Sequence, residues 1–204
     1  MTPFFYGYSE DSKTEIVHHL LRLSDQDRSL RFFGNVNSAF IEKYVSESTK
    51  NGSFWVVVGD EGLDQIVGAM HVAMSSDGKT AEVGFSVEED FKNQGIGTTL
   101  MEHAIAVLKA TKVESMILNC LSENKAVQAI CKKFGFDVTS VSFSEKEGTL
   151  KIKKEIDVKD MVELSRLTQN SIICPMLFSY AKTMKKIAEI PKIWLDEYKK
   201  KQNR

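Results

Sequence analysis

A glycine-rich turn between a strand-like and a helix-like segment is the feature that most constrains this chain. Residues 80–87 alternate in side-chain character, which predicts a β-strand, and residues 97–111 carry apolar side chains at helical spacing. Gly95 and Gly97 lie between them. A helix that starts after glycines presents unpaired backbone N–H groups and the positive end of its dipole, which suits a phosphate group. These residues alone are equally compatible with an ordinary tight turn.

Other phosphate-binding patterns are absent from the sequence. There is no GxxxxGK[ST] loop, and the GxG turn lacks the third glycine of a dinucleotide fingerprint. The ligand of the turn therefore has to be inferred from the segments on either side of it.

The rest of the chain divides into further helix-like and strand-like segments. Helices are predicted at 13–23, from 24–27 onward, at 37–50 and at 123–134; strands are predicted at 54–60, 65–75, 115–121, 137–144 and 149–156. The strands 54–60 and 65–75 are expected to form an antiparallel hairpin, and a turn is expected at 145–148. Helical periodicity returns after residue 156.

Composition excludes several classes of protein. With 204 residues, 42% hydrophobic content and a formal net charge of -1, the chain fits one domain plus an extension, with no global attraction to nucleic acid or anionic membranes. Cys120, Cys131 and Cys174 show no metal-binding spacing, so we expect free thiols in a reducing cytoplasm and no metal. We expect no signal peptide, because the N-terminus lacks a basic region, and no apolar run reaches the ~20 residues of a membrane span.

Two motifs resemble the GCN5-related N-acetyltransferase (GNAT) superfamily. Residues 92–97 (KNQGIG) are similar to its [Arg/Gln]-x-x-Gly-x-[Gly/Ala] loop, although Lys92 and Asn93 depart from the commoner residues. Downstream, Asn124 and the pair 135–136 (GF) match the family at family spacing. The resemblance covers roughly residues 10–156.

The resemblance implies an α/β fold and a cosubstrate. We expect the GNAT fold over residues 1–156, with a mixed, twisted sheet of six to seven strands flanked by helices, and a helical C-terminal extension over 157–204. The implied cosubstrate is acetyl-CoA. The implied cofactor-binding residues are Phe85, Ser86, Val87, Lys92, Asn93, Gln94, Gly95, Ile96, Gly97, Thr98, Asn124 and Cys131.

A second likeness lies nearer the N-terminus. Residues 23–33 (LSDQDRSLRFF) are similar to the LSxxxxxxRFF segment of bacterial protein lysine acetyltransferases. In those proteins the strand before the phosphate loop carries a glutamate that acts as general base, and Glu82 matches that position. Arg28 and Arg31 belong to this segment, and the sequence leaves open whether they line the acceptor side or form structural ion pairs.

Several roles keep a structural alternative. The backbones of residues 85–87 are implied to pair with the pantetheine arm, but ordinary sheet pairing would serve as well. Asn124 is expected either to contact the cofactor or to cap the next helix. Cys131 replaces a tyrosine that commonly acts as general acid, and inert packing is the favoured interpretation. His71 and His103 are expected to be packing or surface residues.

The predicted reaction is direct acetyl transfer from acetyl-CoA to a primary amine within a ternary complex, with Glu82 as general base. The favoured acceptor is a protein lysine; the alternatives are a small amine or amino acid, and a catalytically silent acyl-CoA-binding regulatory module. The extension at 157–204 is expected either to shape the acceptor groove or to pack against a second subunit.

Overall fold

The computed structural model describes residues 3–7, 13–49, 52–60, 65–156 and 160. The strands are β1 (Pro3–Gly7), β2 (Phe54–Asp60), β3 (Gln65–Met74), β4 (Thr80–Val87), β5 (Ser115–Leu121), β6 (Asp137–Ser140) and β7 (Glu145–Lys151). The helices are α1 (Lys13–Arg22), α2 (Asp25–Phe32), α3 (Ser38–Glu47), α4 (Ile96–Lys109) and α5 (Lys125–Phe134). A short 3-10 turn, Glu89–Phe91, joins β4 to the loop before α4.

The strands form one seven-stranded sheet in the order β1-β2-β3-β4-β5-β7-β6. All neighbouring pairs are antiparallel except β4 and β5, which are parallel because α4 carries the chain back between them. The predicted mixed α/β sheet of six to seven strands is therefore confirmed, as is the predicted hairpin of β2 and β3.

The sheet has an apolar core on each face, because successive residues of a strand point to opposite sides. Trp55 and Val57 of β2 pack with Ile16, Leu20 and neighbouring residues of α1 and α3. The intervening Val56 and Val58 belong to the second core, which contains the buried face of α4. The two cores fix the N-terminal helices and α4 on opposite faces of the sheet.

The closing hairpin differs from the sequence prediction. The turn predicted at 145–148 is wrong, since Glu145 begins β7 and the chain reverses between β6 and β7, over residues 141–144. Gly148 caused the error, because glycine beside charged residues is typical of turns. In the structure it is a packing glycine, and a Cβ there would lie 3.2 Å from Phe136 and 3.3 Å from Cys131. The strand β1 was not predicted at all.

The predicted helical extension at 157–204 lies outside the described residues, apart from Asp160. Its carboxylate accepts a hydrogen bond of 2.7 Å from the Lys109 ammonium near the end of α4. Within the described part of the chain, no helix has the length and apolar character to cross a membrane.

Candidate active site

The strands β4 and β5 separate halfway along their length. Only Thr80, Ala81 and Glu82 pair with β5, opposite residues 115–117. Beyond Glu82 the two strands diverge, while β4 stays paired with β3 and β5 stays paired with β7. A cavity of about 300 Å³ opens at this point. The edge of β4 that faces β5 is therefore available to hydrogen-bond a ligand that lies along it.

Side chains from both sides of the gap line this cavity. They include Glu82 and Phe85 of β4, Asn119 and Cys120 of β5, Asn124 before α5, and Arg31, Tyr44 and His71 from the opposite wall. Glu82 is exposed, and its Oε1 accepts a hydrogen bond of 3.3 Å from the Asn119 amide. The carboxylate predicted as the general base thus lies in the cavity, at the last paired position of β4.

The structure shows one of the two roles that the sequence predicts for Asn124. Its side-chain Oδ1 caps α5 by accepting a hydrogen bond of 3.1 Å from the Val127 N–H. The same residue lines the cavity. The capping role is shown by this hydrogen bond, and the predicted cofactor contact stays a prediction.

The start of α4 has the features of an anion site. Gly95 is the N-cap with φ 86°, a left-handed conformation that favours glycine, and no side chain caps the helix. The N–H groups of the first turn, from Ile96 to Thr98, are consequently available to a ligand. Nothing lies within 4 Å of a Cβ built on Gly95, so its backbone is open to approach. These features fit the pyrophosphate of the implied cosubstrate.

Gly97 has a different reason to be glycine. A Cβ there would lie 3.0 Å from Ile130 and 3.2 Å from Phe85. It therefore permits close packing of α4 against β4 and α5, whereas Gly95 supplies the backbone conformation. Between β4 and Gly95, Asn93 also has positive φ, at 59°, which asparagine tolerates better than most residues. The Gln94 side-chain amide donates to the Asp90 carbonyl at 2.9 Å.

Lys92 is held by carboxylates of the protein. Its ammonium donates to both oxygens of Asp27, at 2.7 and 2.9 Å, and also to Glu89. Burial alone would lower the pKa of Lys92, but the hydrogen bonds that it donates to Asp27 and Glu89 outweigh this effect and raise the pKa above its usual value. The lysine thereby ties α2 to the loop before α4. Its predicted contact with the cofactor stays a prediction, and its charge is already balanced.

The end of β4 is anchored to α1 by four polar residues, here called the His19 cluster (His19, Arg22, Ser86 and Glu88), of which His19 and Ser86 are buried. His19 Nδ1 donates to Glu88 Oε1 at 3.0 Å, and its Nε2 accepts from the Ser86 hydroxyl at 3.0 Å. Burial lowers the pKa of His19, which makes the contact with Glu88 a hydrogen bond of a neutral imidazole. The Arg22 guanidinium donates to the same carboxylate oxygen at 2.8 Å. This cluster fixes the backbone of residues 86–88 beside the cavity.

The remaining predicted residues do not line the cavity. Cys131 is 1% exposed and packs beneath β7, and burial raises the pKa of its thiol to about 11. Such a buried thiol stays protonated, and the favoured interpretation of inert packing stays a prediction. Ile96 is buried in the core, while the side chains of Val87 and Thr98 are partly buried.

The sequence left open whether Arg31 lines the acceptor side, and it did not assign Tyr44 or His71 to the opposite wall of the cavity. Arg31, Tyr44 and His71 line this wall, and Ser48 and Trp55 contact His71. These five residues are here called the His71 cluster. His71 Nε2 donates to the Ser48 carbonyl at 2.7 Å, which leaves Nδ1 to accept from the Tyr44 hydroxyl at 2.8 Å. The Tyr44 oxygen accepts from Arg31 at 2.9 Å.

The structure separates the two arginines of the 23–33 segment. Arg28 forms an ion pair with Asp25 in the same helix, whereas Arg31 lines the cavity. The usable sequence signal for this wall is the 23–33 segment, which contains Arg31.

Comparison with known proteins agrees with this geometry. Residues 17–136 match the Acetyltransferase (GNAT) family. The peptidyl-lysine N-acetyltransferase YjaB of Salmonella typhimurium is 31% identical over 116 residues, which cover 57% of this chain and 72% of YjaB.

Solved structures share the fold at low identity. The GNAT domain of S. lividans PAT aligns with TM-score 0.62 and 14% identity, covering 72% of this chain and 89% of that domain. The ribosomal-protein-S18-alanine N-acetyltransferase of Escherichia coli aligns with TM-score 0.59 and 16% identity, covering 74% of this chain and 95% of that chain.

The chain belongs to the GNAT acetyltransferase family. It is an acetyl-CoA-dependent N-acetyltransferase, as the sequence predicted.

Proposed function

We propose that this enzyme transfers an acetyl group from acetyl-CoA to the ε-amine of a protein lysine, with Glu82 as the general base. The observation that carries the proposal is the position of Glu82. It is the last residue of β4 that pairs with β5, and its carboxylate lies in the cavity that opens there.

The acceptor must lose protons during the reaction. A free lysine amine has a pKa near 10.4, so it reaches the site as an ammonium and has to become neutral before it attacks. The Glu82 carboxylate, held by Asn119, accepts a proton from the nitrogen directly or through a water. As the new C–N bond forms, the C–S bond of the thioester breaks, and the CoA sulfur leaves with the electron pair and takes up one proton. The products are an acetylated amine and CoA.

The open edge of β4 supplies the complementary binding surface. Acetyl-CoA provides the activated thioester, and a pantetheine arm in the gap would add to β4 as an extended strand. A backbone N–H of residues 83–87 aimed at the thioester oxygen would stabilise the charge that develops there. The first turn of α4, uncapped at Gly95, is the complementary site for the pyrophosphate.

The lysine acceptor is supported by the YjaB relative, whose name is peptidyl-lysine N-acetyltransferase. The segment 23–33 supports the same class, because its Arg31 reaches the cavity beside Glu82. A small amine is the alternative acceptor. Turnover measured on lysine peptides and on small amines distinguishes the two classes of acceptor.

The test compares Glu82→Gln with wild type on lysine peptides and proteins. We expect Glu82→Gln to lose at least about 100-fold in kcat, because general base catalysis is worth at least that factor, while its affinity for CoA is unchanged. Acetylation is followed by mass spectrometry and CoA release, and affinity by calorimetry.

The matched control is Glu114→Gln. Glu114 precedes β5 and is exposed outside the cavity, with a 3.9 Å contact between its carboxylate and the Lys79 ammonium. It should leave both rate and affinity at wild-type values. Wild-type turnover of small amines without turnover of any lysine peptide would overturn the acceptor class. Full activity of Glu82→Gln would overturn the role of Glu82.

A further inference from the structure

Arg31 occupies a place on β4 that a side chain would normally fill. A Cβ built on Gly84 would lie 2.6 Å from Arg31 Nη1 and 2.7 Å from Cζ. The guanidinium therefore lies directly over the backbone of Gly84. Gly84 and Glu82 are on the same face of β4 and two residues apart, which corresponds to roughly 6.6 Å along a strand. Arg31 and Glu82 are thus neighbours on one face of the cavity.

The charge of Arg31 is not balanced by an acidic side chain. Among the residues that the structure describes, no carboxylate forms an ion pair with it, whereas Arg22, Arg28 and Lys92 are each paired with one. Its hydrogen bond is to the neutral Tyr44 hydroxyl, and its buried Nε has no partner among the described groups. A partly buried guanidinium without a counter-charge is costly, and an anionic ligand would relieve that cost.

Apart from Glu82, which forms no ion pair with it, the described neighbours of Arg31 do not supply a negative charge. Tyr44 donates to His71, and burial lowers the pKa of His71 to about 4, so this histidine is neutral near pH 7. The ring faces of Phe32 and Tyr44 lie 4.9 and 5.7 Å from the guanidinium carbon and help to orient it. Among the described residues that line the cavity, Arg31 and Glu82 are the charged side chains, one cation beside one carboxylate.

We propose that Arg31 binds a carboxylate of the acceptor while Glu82 receives its amine, which makes Arg31 a specificity-determining residue. The inference rests on the proposed acetyl transfer at Glu82 and adds the class of acceptor: a lysine with a carboxylate close by. An α-amine is separated from its own carboxylate by a single carbon and does not span the distance between the two groups. A lysine ε-amine and the carboxylate of an adjacent acidic residue are far enough apart to reach Glu82 and Arg31 at the same time.

The same carboxylate has two sources. It belongs either to an Asp or Glu beside the target lysine in a peptide, or to the α-carboxylate of free lysine reached from its ε-amine. The peptide source follows from the proposed protein acceptor. Free lysine compared with 1,5-diaminopentane, which lacks the carboxylate, tests the second source.

The experiment measures acetylation of matched peptides that carry Glu or Gln next to a single lysine. We expect wild type to favour the Glu peptide by about tenfold or more in kcat/KM, mainly through KM, since a hydrogen bond to a charged group contributes about that factor. Arg31→Gln should bring the ratio of the two peptides close to one. Arg28→Gln, in the same helix but paired with Asp25, should keep the wild-type ratio.

Two results would overturn the proposal. One is a wild-type ratio near one for both substrate pairs. The other is a ratio that survives in an Arg31→Gln variant that still binds CoA normally, which would mean that Arg31 only positions other groups.

Binding separates this inference from the proposed function. Calorimetry with CoA-loaded protein measures the Glu-over-Gln preference without turnover. If that preference is present and depends on Arg31 but no lysine is acetylated, the proposed function fails and the inference stands. If free lysine is preferred over the diamine but the peptides are not distinguished, the carboxylate site stands and the protein acceptor fails.

Discussion

Two histidine clusters connect the N-terminal helices to the central strands, and they differ in whether their arginine forms an ion pair with a carboxylate. In the His19 cluster, Arg22 donates to Glu88, which also accepts from His19. In the His71 cluster, Arg31 donates to Tyr44, and no described carboxylate forms an ion pair with it. Both clusters contain a buried neutral histidine, and the arginine has an acidic ion-pair partner only in the His19 cluster.

The ion pair with Glu88 gives Arg22 a structural role, whereas Arg31 is the cation that we propose binds a ligand. Glu88 has its own pKa raised by burial, but the hydrogen bonds from His19 and Arg22 prevail and hold it below the usual value, so the carboxylate stays ionised. The His19 cluster is complete without a ligand and fixes the end of β4. The His71 cluster lacks an acidic ion-pair partner for Arg31 among the described residues, and its Arg31, Tyr44 and His71 line the cavity.

The largest effect that we expect is on the pH dependence of stability. Burial first, together with the Arg31 charge, lowers the pKa of His71 from 6.5 to about 4 against the opposing hydrogen bond to Ser48. The unfolded chain therefore binds a proton before the folded one does. This contribution to stability is complete above pH 6.5 and lost as the pH falls towards 4, and it amounts to about 3 kcal/mol.

Urea unfolding measured across that pH range tests this effect. The pKa of His19 is lowered as well, so both clusters add to the slope in the same direction. The His71→Gln variant should be less stable at neutral pH but should show a shallower slope. An unchanged slope in that variant would contradict the buried, neutral state of His71.

A smaller effect is expected from Glu88→Gln, which removes the counter-charge from the His19 cluster. We expect a loss of about 2 kcal/mol in the free energy of unfolding, because the amide leaves Arg22 without a carboxylate and weakens the bond to buried His19. Glu114→Gln is the control and should change stability by less than about 0.5 kcal/mol, as for an exposed pair. Equal losses in the two variants would show that the His19 cluster is not a structural anchor.

The smallest effect on stability is expected from Arg31→Gln. Because Arg31 has no carboxylate partner to lose, we expect a change of at most about 1 kcal/mol, measured by the same urea titration. A loss as large as that of Glu88→Gln would place both arginines in the same structural class and would remove the contrast between the clusters.

Much of the fold could be predicted because local pattern and packing agree. Alternation in β4, helical spacing in α4 and the cap of Asn124 each identified an element correctly. Gly148 misled, since a glycine required by contact with Phe136 cannot be told from a turn glycine without knowledge of the neighbouring strand.

The site was less predictable, for a physical reason. Glu82 was recognised through its position before the phosphate loop, within one continuous segment. Arg31, Tyr44 and His71 come from α2, α3 and β3, and only the packing of these elements brings them together. Likewise, Lys92 looked available to a phosphate, and its pairing with Asp27 depends on where α2 lies.

A crystal structure with CoA and a lysine peptide that carries an adjacent glutamate tests the central claim most directly. The account predicts that the CoA sulfur lies between β4 and β5 where they diverge. It also predicts the lysine nitrogen within reach of Glu82, directly or through one water, and the peptide carboxylate on Arg31. A CoA arm bound elsewhere, or a lysine nitrogen directed away from Glu82, would contradict it.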